Sequence, residues 1–454
     1  MSPTKRETRA RQLRGRRSQR GFTLVELTVA LLAGLIVALG IMGLSRESTR
    51  TFHEEMRVSA AEANLRTAVD RLRSDLSRAA YMSTSNIATD PMIARAPGAG
   101  VTPGFVGLGQ LASIQLAASP ASGLALSVRN NVTPFQLQIG GNMTSTDQFS
   151  GSLQPAAGGC QHINLNPQTP AMYRVLNSTA PATELANLFQ PVPAGVNAQF
   201  MVRVSDKTGH SQFLVTCPGV ATGILGAAPA LQPYVAVDTG TPVLTAQQTL
   251  GVSNLTGYAS GDIWVNPVQI VRWEVVAATN EPAQYKASPL GGTSLTPTTI
   301  DPDKYDLVRS YVDATTGQVI AQTTEIIAEY AVDFDIAFSV DSGPGALQPS
   351  LVTYAFGDAR VPTWAVSVPL QTKPAVAGPA RIRSVRARLV TRTAQADRTL
   401  NVAVPGAAGP FMYRYCILQA GCDPVNAAGV LQYARARTLT IEVALNNQSR
   451  NYFY

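Results

Sequence analysis

Arg20-Gly21-Phe22-Thr23-Leu24-Val25-Glu26-Leu27 joins a strongly basic leader to an apolar segment that carries one carboxylate near its start. From Leu27 to Leu44 there is no charged residue. With Phe22 to Val25 in front, the run reaches the roughly 20 residues that a helix needs to cross a bilayer. Glu26 is the anomaly. A lone carboxylate at bilayer depth costs about 2.5–3.5 kcal/mol on insertion scales, so a plain anchor keeps one only where it lies close enough to the interface to reach water.

The helical pattern does not stop at the membrane. Proline is absent from residues 4 to 90, and an apolar spacing continues through Phe52, Met56, Ala60, Ala63, Leu65, Val69, Leu72, Leu76 and Ala79. Glu62 with Arg66, and Asp75 with Arg78, have the spacing of a solvated face. A helix from Phe22 to about Ala80 would span roughly 90 Å at 1.5 Å per residue. Gly34, Gly40 and Gly43 weaken it by about 1 kcal/mol each relative to Ala, or admit close helix contacts in the bilayer.

Residues 21–44 resemble the type IV pilin superfamily, whose precursors carry a basic leader ending in Gly, then Phe, Thr, Leu, an apolar residue, Glu and a long apolar helix. The resemblance implies a class III (prepilin-type) signal: a prepilin peptidase cuts between Gly21 and Phe22, methylates the new Phe22 amine, and leaves the helix on the mature chain. A secretory signal peptide would instead be cut after its apolar region, which the unbroken run into an amphipathic helix argues against. Glu26 acquires an assembly role, neutralising the Phe22 amine of a neighbouring subunit. Removing one partner of such a pair, if dry, costs about 3–5 kcal/mol.

Charge is read after the cut. The leader holds eight of the 36 basic residues and one of the 29 acidic ones, so the remainder carries 28 of each. The +7 net charge therefore does not indicate a nucleic-acid partner; it sets topology, with the leader cytoplasmic and the rest across the membrane. Cys160, Cys217, Cys416 and Cys422 all lie in the exported part, where disulfides are the default. Chain order suggests Cys160 with Cys217 and Cys416 with Cys422, among three connectivities. Without Cys-x-x-Cys or a nearby His pair, a zinc site is not expected.

After Tyr81 the chain turns to Ala, Gly, Thr, Ser, Asn and Pro. Short strands are expected at Ser113–Leu116, Phe135–Ile139, Gln199–Val204 and Gln212–Thr216, with one helical stretch at Glu184–Phe189. From Asp262 the alternation is clearer. Val271, Trp273 and Val275 alternate with Ile270, Arg272 and Glu274, and Val332, Phe334, Ile336, Phe338 and Val340 alternate with Asp333, Asp335 and Ser339. Val385, Ala387 and Leu389 stand against Arg386, Arg388 and Arg392; Leu439, Ile441, Val443 and Leu445 stand against Thr438, Thr440 and Glu442.

The expected fold is α+β, with a long N-terminal spine helix covering one face of an antiparallel sheet whose other face is wet. Its parts are a cleaved leader (1–21), a transmembrane or filament-core helix (22–45), the amphipathic half of the spine (46–82), a β- and loop-rich insertion (83–260) and a C-terminal antiparallel sheet (261–454). Strands like those at 326–340, 381–393 and 435–446 are similar to the C-terminal strands of large minor pilins of the PilW kind and of J-type tip pseudopilins of type II secretion.

No enzyme signature, cofactor motif or metal motif appears. His53, His162 and His210 form no recognisable triad, and Asp301, Asp303 and Asp306 lack the Gly and terminal Glu of a calcium loop. Alternate arginines at 381, 383, 386, 388 and 392 could meet phosphates, but a solvated strand face is the expected reading. The resemblance implies a minor pilin that helps prime pilus assembly at or near the tip, or a tip pseudopilin. Its partners would be the prepilin peptidase, major and minor pilins, the inner-membrane assembly platform, membrane lipid and a tip adhesin. The chain would start as a single-pass inner-membrane protein with a periplasmic head and end on the pilus. An anchored surface adhesin or enzyme outside any filament is the reading of another class.

Overall fold

The computed structural model describes residues 23–87, 90, 93, 106–117, 134–153, 160–193, 195–205, 211–219, 221–226, 231–238, 263–282, 285, 304–342, 350–365, 378–396, 414–416 and 433–448. The chain divides into two compact units at Met56/Arg57. One helix, α1 (Leu24–Ser77), runs through the division. In the first unit its side chains are almost all exposed, from Leu24 through Leu44 to Phe52 and Met56.

The second unit buries what the apolar spacing of α1 promised only from Leu65 onward. Leu65, Ala68, Val69, Leu72, Leu76 and Ala79 enter the main core, while Phe52, Met56, Ala60 and Ala63 stay exposed. Asp75, expected on a solvated face beside Arg78, is instead buried, and Glu62 pairs across to Arg437 at 3.0 Å rather than along the helix to Arg66. Beyond the helix the backbone turns through a left-handed Ala80.

Among the described residues, sixteen strands follow. The first sheet holds β1 (Ile114–Ala117), β2 (Gln136–Gly141), β3 (Phe149–Leu153), β4 (Cys160–Leu165), β5 (Met201–Ser205), β6 (Ser211–Thr216), β7 (Thr222–Leu225), β8 (Gln232–Asp238), β9 (Ile263–Ala277), β10 (Tyr305–Val312) and β11 (Glu325–Ala328). The second, in the order β13-β12-β14-β16-β15, holds β12 (Ala331–Asp341), β13 (Leu351–Thr353), β14 (Ile382–Ala396), β15 (Arg414–Cys416) and β16 (Tyr433–Ala444). Every pairing between these strands is antiparallel.

Within the first sheet the pairings β9–β3–β4–β8–β6–β5–β9 return to their start, so six strands close into a small barrel. Closure removes the exposed edges of an open sheet. Phe149, Ile163, Val204, Phe213, Val235 and Val265 belong to its core, together with Leu185 and Phe189 from helix α3 (Pro181–Phe189). Helix α2 (Pro170–Leu176), which sequence periodicity did not reveal, starts at Pro170 with Thr169 as its cap.

Strand β9 belongs to both parts of this sheet. Its first residues pair with β3 and β5; from Gln269 it pairs with β2, and from Ile270 with β10. Pro267 stands where β3 has ended and β2 has not begun, so its missing N–H costs no ladder bond on that edge. Accordingly Val265 and Val268 pack into the barrel core, whereas Val271, Trp273 and Val275 pack against α1. At the end of β2, a side chain on Gly141 would stand 2.2 Å from the Arg78 carbonyl, which is why the helix end can abut this strand.

The second sheet presents Phe334, Ile336, Phe338, Val385, Ala387 and Leu389 to the same core as α1. Two expectations fail there. A register shift between Ala331 and Asp333 turns Val332 away from Phe334, into a small cluster with Val390, Tyr415 and Ala436. The opposite face is not a wet one along β12 and β14: Asp333, Asp335, Ser339, Arg388 and Arg392 are all buried.

Candidate processing and assembly segment

Thr23 and Glu26 close the start of α1 on themselves. The Thr23 N–H donates to Glu26 Oε2 at 3.0 Å, the Thr23 hydroxyl donates to the same oxygen at 3.1 Å, and the Glu26 N–H donates to Thr23 Oγ1 at 3.2 Å. This is a capping box, in which two otherwise orphaned N–H donors are satisfied reciprocally. It also places the carboxylate at the positive end of the helix dipole. The signal for Thr23 lies in the sequence, as a Thr-x-x-Glu spacing before an apolar run, but Glu26 considered alone does not reveal it. Gly21 and Phe22 lie outside the described residues. Both capping residues fall on the far side of the Gly21–Phe22 bond, so cutting that bond removes neither.

Among the described residues α1 is the one helix long and apolar enough to cross a membrane, and its apolar window is entirely unburied by the chain itself. An apolar surface of that size on the charge-free stretch Leu27–Leu44 has to be covered by lipid or by other helices.

In the second unit, α1 is held by a buried polar contact. The Asp75 carboxylate accepts from Arg309 Nε at 2.6 Å and Nη2 at 3.3 Å, and from Trp273 Nε1 at 3.0 Å. Burial alone would lower the guanidinium's proton affinity, but Asp75 more than offsets it, and Arg309 is held above its ordinary value. The spine helix is thus tied to β9 and β10 by side chains that exclude water.

The strand arginines find their partners inside the protein. Arg388 Nη2 lies between Asp333 Oδ2 at 2.9 Å and Asp335 Oδ2 at 2.8 Å, with Phe356 beneath it. Arg383 pairs with Asp341 at 3.3 Å, Arg386 donates to the Tyr354 carbonyl, and Arg392 donates to the carbonyls of Thr393 and Ala394. The solvated arginine face expected from the sequence is not there. Burial, with Asp335 close by and against the pull of Arg388, pushes Asp333 up to about 6.

Cys160 and Cys217 form a disulfide that ties β4 to the segment after β6. Cys416 is also disulfide-bonded, and Cys422 lies outside the described residues. His53 is exposed on α1, and His162 stacks on Tyr234 with ring centres 4.2 Å apart; His210, Asp301 and Asp303 lie outside the described residues. Among the described residues no group of three or more His, Cys, Asp or Glu side chains is arranged to hold a metal ion.

Residues 16–42 match the family model described as the prokaryotic N-terminal methylation motif. No curated relative and no solved structure matches the chain. The chain therefore carries a prepilin-type N-terminal motif on an apolar helix, followed by an antiparallel, β-rich α+β head. That motif supports a pilin or pseudopilin role, implying processing by a prepilin peptidase, assembly with other pilins and a single-pass membrane anchor.

Proposed function

We propose that this chain is a minor pilin of the PilW kind, which helps prime type IV pilus assembly and resides at or near the pilus tip. The observation that carries this reading is the continuity of α1. It is capped at Thr23, just past the Gly21–Phe22 bond, and runs through the apolar segment to Ser77, close to where Asp75 bonds it into the head. A helix that is retained, exposed at one end and anchored at the other suits a subunit whose apolar half packs beside its neighbours. Its work is structural rather than catalytic. The barrel carried by β9 enlarges the head well beyond what is needed to cover the helix, and such an elaboration suits an exposed filament end better than an internal position.

In a filament, Glu26 would keep its bond to the Thr23 N–H while its second oxygen meets the Phe22 amine of an adjacent subunit. Glu26→Ala is expected to remove the chain from sheared filaments while leaving it in the membrane. The primary test is mass spectrometry of sheared surface filaments and of the remaining membranes, looking for a peptide that begins at N-methylated Phe22. Its presence in filaments supports the minor pilin. Processed chain confined to the membranes of a strain with a type II secretion system would favour a tip pseudopilin, and an intact Gly21–Phe22 bond everywhere would exclude both.

A further inference from the structure

Among the described residues, the strands with a single neighbour in their sheets are β1, β7, β11, β13 and β15, and none is longer than four residues. Very short edge strands, like a closed barrel, leave little template on which a foreign strand can build. Strand β16 breaks this pattern. Strand β15 covers only Tyr433, Ala434 and Arg435, so among the described residues no strand lies beside β16 from Ala436 to Ala444 on the side away from β14. That open edge is roughly 30 Å long at about 3.3 Å per residue. Strand β12 is also paired over only part of its outer side, but it is buried from Ala331 to Val340, and the Phe334 and Phe338 carbonyls accept from the Phe135 and Tyr354 N–H groups.

The backbone of this edge is aimed outward. The Leu445 N–H donates to the Arg383 carbonyl at 2.8 Å, which continues the β14–β16 register. Bonded and unbonded pairs alternate along an antiparallel ladder, so Leu439, Ile441 and Val443 turn their N–H and C=O groups toward β14, while Thr438, Thr440, Glu442 and Ala444 turn theirs to the open side. Thr440, Glu442 and Ala444 are exposed, and Leu439 and Ile441, which pack against the core shared with α1, are only half-buried. The stretch has no proline, lysine or glycine to discourage pairing, and its β-branched residues favour it. Its two charges are engaged within the chain: Arg437 with Glu62 at 3.0 Å, and Glu442, which accepts from the Ser384 hydroxyl at 2.7 Å.

A second copy of this chain does not suit the edge. Strand β16 runs in the same direction as α1, with Arg437 against Glu62 near its start and Asn447, just past its end, donating to the Ser77 carbonyl at 2.9 Å. Antiparallel pairing of two such edges would run the two spine helices in opposite directions, which two copies anchored in one membrane cannot do. Parallel pairing of identical edges needs an axial offset that a two-fold axis does not supply.

We propose that the open edge of β16 receives an extended strand from a different protein chain, added to the second sheet by main-chain hydrogen bonds. The residues of β16 define the chemistry of that strand. Side chains beside Leu439, Ile441 and Val443 are apolar, those beside Thr438 and Thr440 are small or carry a hydroxyl, and the one beside Glu442 is basic. The incoming strand would complete the burial of Leu439 and Ile441. Because the edge belongs to the head, the inference does not depend on the chain's entering a filament.

The test is hydrogen exchange of the full chain in detergent micelles, with and without the end-blocked peptide Lys-Val-Thr-Val-Thr-Val-Lys as the probe. In the free chain the amides of Thr440, Glu442 and Ala444 are expected to exchange much faster than those of Leu439, Ile441 and Val443. At a peptide concentration about ten times its Kd, protection of the three open-edge amides should rise about tenfold. The same peptide N-methylated at every valine and threonine cannot donate along its backbone and should leave them unchanged. Thr440→Pro removes one outward N–H without touching the β14 ladder and should abolish the effect of the peptide, whereas Thr440→Val, which keeps that N–H, should retain it. No added protection from the unmodified peptide, or equal protection from the N-methylated one, overturns the proposal. So does full protection of the open-edge amides in the free chain, which would mean that another part of this chain or a second copy already occupies the edge.

Discussion

Replacing Asp75 by alanine would strand the Arg309 guanidinium in a dry core and leave the Trp273 N–H without its acceptor. Breaking a buried pair in this way costs about 3–5 kcal/mol. Denaturant melts of the full chain in micelles should show that loss for Asp75→Ala, and a much smaller one for Asp75→Leu combined with Arg309→Met, which removes both charges together. The Arg388 cluster calls for a different experiment, because one guanidinium faces two buried carboxylates and the site keeps an excess negative charge. Asp333 is pushed up to about 6, above its unfolded value, so its contribution is fully present below about pH 4 and fades as pH rises through about 6. Asp333→Asn should flatten that part of the stability profile and leave stability near pH 7 little changed; a slope identical to that of the unmutated chain would contradict it. Neither cluster was legible in the sequence. Asp75 reads as half of a surface pair with Arg78, and Asp333 and Asp335 read as the wet side of an alternating strand. Partners more than 50 positions away, Arg309 and Arg388, turn those residues inward, and residue spacing carries no trace of such long-range contacts.

At the scale of elements, α1 follows one helical pattern in sequence but has two environments in the structure. Leu72 is fully buried, and its replacement by alanine should cost about 2–5 kcal/mol of head stability. Met56, 54% exposed, belongs to the same apolar spacing, yet Met56→Ala should change that stability by less than about 0.5 kcal/mol. If Met56→Ala depresses the melt as much as Leu72→Ala, the exposed stretch is covered by the chain's own head. The helix and the strands β1, β2, β5, β6, β9, β12, β14 and β16 were readable because apolar periodicity is a local property of the sequence, even where, as in β2, β6 and β12, the structure buries both faces. The barrel was not, because closure depends on which strands pair, and several short strands with mixed patterns fit many registers equally well.

For the whole chain, the disulfide and the shared strand decide how the elaborated head holds together. Cys160 and Cys217 are 57 positions apart, and on the chain-entropy account closing a loop of that length contributes about 4 kcal/mol. Cys160→Ala with Cys217→Ala should speed hydrogen exchange in β4, β6 and β8 while β12, β14 and β16 keep their protection; uniform loss across both sets would mean that the two sheets unfold as one. The even cysteine count and chain order suggested this bond among three connectivities, whereas the meeting of β4, β8 and β6 that it spans had no sequence signature. Strand β9 has a mechanical consequence. Its 15 residues are one uninterrupted backbone, laced on one half into the barrel and on the other into the strands packed on α1. A tug on the barrel is therefore delivered lengthwise along a peptide chain, and the ladders on either side resist it in shear, many hydrogen bonds at once, instead of peeling apart one by one.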